Sequence, residues 1–64
     1  MEFESFLGKI VKIETERHDL PLFGRLLHET EEFLKIEKRN GLIVVVRKDQ
    51  VRSIAATYRQ PEGA

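Results

Sequence analysis

Arg47 and Lys48 stand side by side, followed by Asp49 and Gln50, between an apolar run at 42–46 and the apolar pair Val51 and Ile54. A tight polar connection between two strand-like stretches is where ligand-facing chemistry would sit, and two adjacent cations suit an anionic ligand. Other candidates for chemistry are poorer. His28-Glu29-x-x-Glu32 has part of a zinc-protease signature, but the second His is missing and the stretch reads as a loop. His18, between Arg17 and Asp19, reads as a solvated turn residue. There is no cysteine nucleophile and no glycine-rich phosphate cradle, and the only serines, Ser5 and Ser53, lack partners for a triad. No enzyme is expected, and with it no catalytic residue, metal, cofactor or small-molecule substrate.

The elements that must hold this connection come from a short chain. With 64 residues the protein is one domain near the lower limit for a self-sufficient core, since ~60 residues bury only about 60% of their unfolded surface. No cysteine is present to staple it, which leaves oligomerisation as the stabilising device and fits a reducing compartment. No stretch approaches the ~20 apolar residues of a membrane span, and the acidic start Met1-Glu2-Phe3-Glu4 is unlike a signal peptide. A soluble cytoplasmic protein is expected. Formal charge is zero, with four Lys or Arg against eight Asp or Glu in residues 1–32 and seven against three in 33–64. The second half could present a cationic patch, the halves could complement each other between subunits, or the asymmetry could be chance.

Taken in order, Glu2 to Gly8 reads as one or two helical turns with Phe3, Phe6 and Leu7 on one face, a lid over the end of a sheet. Residues 9–15 alternate, Val11, Ile13 and Thr15 inward, as a first strand. Residues 20–27 form a second strand, with Pro21 at its start and Gly24 placed where a strand must bend or be closely approached. After the acidic link at 28–32, residues 33–38 alternate with Leu34 and Ile36 inward. Asn40-Gly41 signals a hairpin into a fourth strand at 42–46, and a fifth follows at 51–57. Five short antiparallel strands with a bend glycine cover more apolar surface by curling into a small barrel than by lying flat. The domain spans residues 1–58, and 59–64 read as a frayed tail.

The fourth strand does not alternate. Whichever set of side chains faces inward, Ile43 and Val45 or their neighbours are left outside. Covering each is worth about 1.5–3 kcal/mol, and an apolar edge invites pairing. A second copy docking alongside supplies the cover, and a head-to-tail contact that closes makes a ring. Cover by the chain's own helix or tail is the other solution.

The chain resembles the Sm-like family of small RNA-associated barrels (Sm, LSm and Hfq proteins). Phe6-Leu7-Gly8-Lys9 with Val11-x-Ile13 resembles the family's helix end and first strand. Leu22-x-Gly24-x-Leu26 matches the core of the first Sm motif. Val45-Val46-Arg47-Lys48-Asp49-Gln50-Val51-x-x-Ile54 is similar to the second, with Lys48 where the family has Gly. The likeness runs from about Phe3 to Ile54. It implies a helix-capped, strongly bent five-stranded barrel whose fourth and fifth strands pair between copies, with Ile43, Val45, Val51 and Ile54 at the contact. It further implies a hexameric or heptameric ring with RNA at pore-facing loops. Arg47 is the implied base contact and Asp49 lies at a variable polar position. The first motif's Asp and Asn have no counterparts: Thr30 falls at the Asp position, and Leu34, or Phe33 with a one-residue gap, at the Asn position. Phe33 is then either a stacking platform beside Arg47, with Lys48 on phosphate, or a core residue. The implied function is an RNA-binding ring of weakened or altered base specificity. A ring that serves as a structural or protein-interaction module without RNA is the alternative.

Overall fold

The computed structural model describes residues 3–57; Met1, Glu2 and the expected tail, together with Tyr58, lie outside the described residues. Five strands, β1 (Ile10–Thr15), β2 (Leu22–Glu29), β3 (Phe33–Glu37), β4 (Ile43–Arg47) and β5 (Val51–Ala56), form one antiparallel sheet in the order β4-β3-β2-β1-β5. Two 3-10 turns, Glu4–Phe6 and Lys48–Gln50, complete the described elements. No helix among the described residues is long and apolar enough to cross a membrane.

The order and the connections together dictate a curled sheet. Laid flat, the edges β4 and β5 would stand about 19 Å apart, four spacings of ~4.8 Å. They are joined by the Lys48–Gln50 turn alone, which advances only about 8 Å from Arg47 to Val51 at ~2 Å per residue. The sheet therefore wraps until its edges approach each other at that turn, while β4 and β5 share no ladder and leave an open seam.

The core lies inside the curl. Val11 and Ile13 of β1, Leu26 of β2, and Leu34 and Ile36 of β3 are fully buried, the inward set of an alternating pattern. Phe3 is buried against them, with Phe6, Leu22, Val44, Val46, Val51 and Ile54 packed around. Gly24 lies where β2 changes partner: residues from Leu22 to Arg25 pair with β1, and from Arg25 to Glu29 with β3. A Cβ at Gly24 would collide with Ile36 Cγ2 and stand 2.7 Å from the Glu37 carbonyl oxygen, so close approach of β3 demands glycine here. Two bulges add bend. Leu27 is extra between the pairs Leu26–Ile36 and His28–Lys35, and Arg52 between Glu14–Ser53 and Thr15–Val51.

The expected hairpin joins β3 to β4, but not through a two-residue primed turn. Gly41 N–H donates to the Lys38 carbonyl at 2.9 Å, and only the glycine takes positive φ (88°). This is a turn over 38–41 with its left-handed residue last.

Other expectations are corrected. The N-terminal helix is a single 3-10 turn, and Leu7 is 44% exposed. At three residues per turn, Phe3 and Phe6 stay in line but Leu7 rotates away. The second strand begins at Leu22, leaving Leu20 exposed, and extends through His28 and Glu29. The Leu27 bulge lets β3 supply ladder partners to residues that read as a link. The first strand opens at Ile10, the third closes at Glu37, the fourth shifts by one to Ile43–Arg47, and the fifth ends at Ala56.

Candidate functional site

Phe33 and Arg47 are opposite one another at the end of the β3–β4 ladder. Beyond them the chain turns on both sides. On the β3 side, the loop at 30–32 is pinned by Thr30, whose N–H donates to the Phe33 carbonyl (2.9 Å) while its hydroxyl oxygen accepts from the Phe33 N–H (3.0 Å). This is local side-chain-to-backbone bonding of the kind that shapes turns. On the β4 side, Lys48 N–H donates to the Glu32 carbonyl at 2.9 Å, so the 48–50 turn and the 30–32 loop form one rim.

Arg47 projects from this rim with its guanidinium forked onto Asp49: Nε to Oδ1 at 3.2 Å and Nη2 to Oδ2 at 2.9 Å. Both side chains stay in solvent, 56% and 64% exposed. The Arg47 pKa is raised, first by the hydrogen bond to Asp49, then by that carboxylate's charge, with Glu32 adding a little. Lys48 takes a different course. Its Nζ donates to Glu29 Oε2 at 2.6 Å, both side chains only 20% exposed, and lies 5.2 Å from the centroid of the Phe3 ring, within cation–π range.

The structure thus brings Thr30, Phe33, Arg47 and Asp49 together and separates Lys48 from them. Phe33 is exposed, which rules out its reading as a core residue. At this rim the charge asymmetry of the chain does not produce a cationic patch. Glu29, Glu31 and Glu32 from the acidic half lie on or beside the rim with Asp49, four carboxylates to two cations. Glu29 and Phe3 as partners of Lys48 have no signal in the sequence: Lys48 lies 19 positions beyond Glu29, and no local pattern announces the contact.

The sheet edges carry a second feature. On β4, Ile43 (44%) and Val45 (58%) point outward, with Leu42 exposed just before them. On β5, Val51 and Ile54 pack against the chain's own core and are only partly exposed. Beside β4 lies a groove of about 580 Å³, lined by Val44, Val45 and Val46 together with Leu20, Pro21 and Leu22 from the β1–β2 connection and the start of β2. His18 also lines it, its Nδ1 3.3 Å from Thr15 Oγ1.

No family model matches the chain, and no curated protein or solved structure is significantly similar to it. Fold and site define a small, mainly β domain: a curled antiparallel sheet with two open edges and a charged rim where those edges meet.

Proposed function

We propose that the chain is a Sm-like protomer that pairs its β4 edge with the β5 edge of the next copy, closes a homo-oligomeric ring, and binds single-stranded RNA at the Phe33–Arg47 rim. The observation that carries this reading is the pair of open edges on a curled sheet, one of them bearing exposed Ile43 and Val45. Unpaired edge strands are templates for another chain, and edges of different strands meet head-to-tail, the contact type that closes rings. The glycine at the partner change in β2 and the short turn between β4 and β5 further support the Sm-like assignment. At the rim, Phe33 offers a ring for stacking and Arg47 a cation for base or phosphate. Lys48, bonded inward, serves the fold instead.

A ring acting as an interaction module without RNA is the second reading, favoured by the pairing of both rim cations with carboxylates. Binding of short U-rich and A-rich RNA at two salt concentrations, wild type beside Arg47→Ala, separates the two. RNA contact predicts affinity that falls with salt and weakens in the variant. Absence of binding at low salt leaves the interaction module.

A further inference from the structure

We infer that Asp49 holds, in the free protein, the edge of Arg47 that a phosphodiester of single-stranded RNA would take, so that Asp49 is an internal competitor that sets the affinity and selectivity of the rim. This deepens the RNA-binding reading above and rests on it. The guanidinium fork suits carboxylate and phosphate alike, engaging either through two parallel N–H groups. Asp49 occupies Nε and Nη2 in that bidentate manner. It sits two residues away on the same turn, so its local concentration is high whatever the assembly state. Both partners are more than half exposed, and exposed ion pairs are weak. A strand making several contacts can therefore displace Asp49, whereas an isolated phosphate competes poorly. Lys48 offers no escape, since Glu29 and the Phe3 ring hold it away.

The test uses the full chain and a ten-nucleotide oligouridylate, with Asp49→Asn, Arg47→Ala, the Arg47→Ala/Asp49→Asn double variant and Glu31→Gln, an exposed carboxylate on the same rim, as comparison. Asp49→Asn is expected to tighten binding by up to about fivefold per site, the range an exposed pair allows, and to steepen the salt dependence by about one phosphate contact per site. The gain should vanish when Arg47 is also removed. Binding weakened by Arg47→Ala but unchanged by Asp49→Asn overturns the competitor role and leaves the RNA reading intact. An equal gain in Glu31→Gln overturns it as well, because the effect would then be general charge. No binding by wild type or Asp49→Asn at low salt removes both. Thermal unfolding of Asp49→Asn at the wild-type temperature shows that its fold is unaltered.

Discussion

Lys48 Nζ lies 2.6 Å from Glu29 Oε2 and 5.2 Å from the centre of the Phe3 ring, tying the turn between the two sheet edges to β2 and to the N-terminal segment. Three parts of the chain distant in sequence meet at this one ammonium group. The contact is a brace for the curl, because the 48–50 turn is what draws the edges β4 and β5 toward each other.

Removing one member of the brace leaves the other poorly solvated. Lys48→Ala is expected to lower stability by about 1–3 kcal/mol, the penalty for orphaning a largely buried polar group. For a domain this small, that is a fall in Tm of roughly 4–8 °C per kcal/mol. Lys48→Met combined with Glu29→Leu should recover part of the loss, since replacing both members with apolar groups avoids the orphan. Calorimetry of the three variants checks this. A Lys48→Ala protein as stable as wild type would mean the brace contributes nothing.

Gly24→Ala sets a methyl group against Ile36 Cγ2 and the Glu37 backbone. Overpacking of this kind costs about 1–3 kcal/mol, and backbone on one side leaves little room to relax. Against a total of roughly 3–10 kcal/mol for a chain of this length, substantial unfolding is expected in urea titrations. Gly41→Ala meets open space but keeps φ at 88°, so its cost is backbone strain alone, about 1–2 kcal/mol. The order of the two midpoints is the check.

Much of this was legible in the sequence wherever burial alternates locally. Val11, Ile13 and Thr15 on β1, and Leu34 and Ile36 on β3, face inward as their spacing requires, and Gly24 sits at the partner change it suggested. The extension of β2 through His28 and Glu29 was hidden because its cause, a bulge at Leu27, depends on β3. Leu7 misled because four-residue spacing predicts a shared face in an α-helix and not in a 3-10 turn. One ion pair joins the halves of opposite charge within the chain, where Glu29 meets Lys48. The rim was found from the order of its residues, whereas the inward course of Lys48 needed the folded chain.

Phe33→Ala separates the rim's binding role from its folding role. The ring is exposed, so the fold should lose no more than about 1 kcal/mol, whereas a base stacked on an aromatic platform is worth about 1–3 kcal/mol. RNA affinity measured by fluorescence anisotropy is expected to drop at least about fivefold with little change in Tm. Loss of stability without loss of affinity would assign Phe33 to packing alone.

Val45→Glu places a charge on the outward face of the β4 edge. Within one chain the site is solvent, where substitutions are usually worth within about 0.5 kcal/mol. Between copies it buries a carboxylate against an apolar neighbour, which strongly disfavours association. Size-exclusion chromatography with light scattering should find a folded species smaller than wild type. Identical elution of the two would exclude Val45 from any contact between copies.

Edge-to-edge assembly is tested most directly by native mass spectrometry of the wild-type chain over a hundredfold range of dilution, with amide hydrogen exchange on the same samples. A single closed species of six or seven copies is expected, with amides at both 43–47 and 51–56 protected together. A well-folded single chain at the highest concentration, its β4 and β5 edges exchanging freely, would contradict the ring.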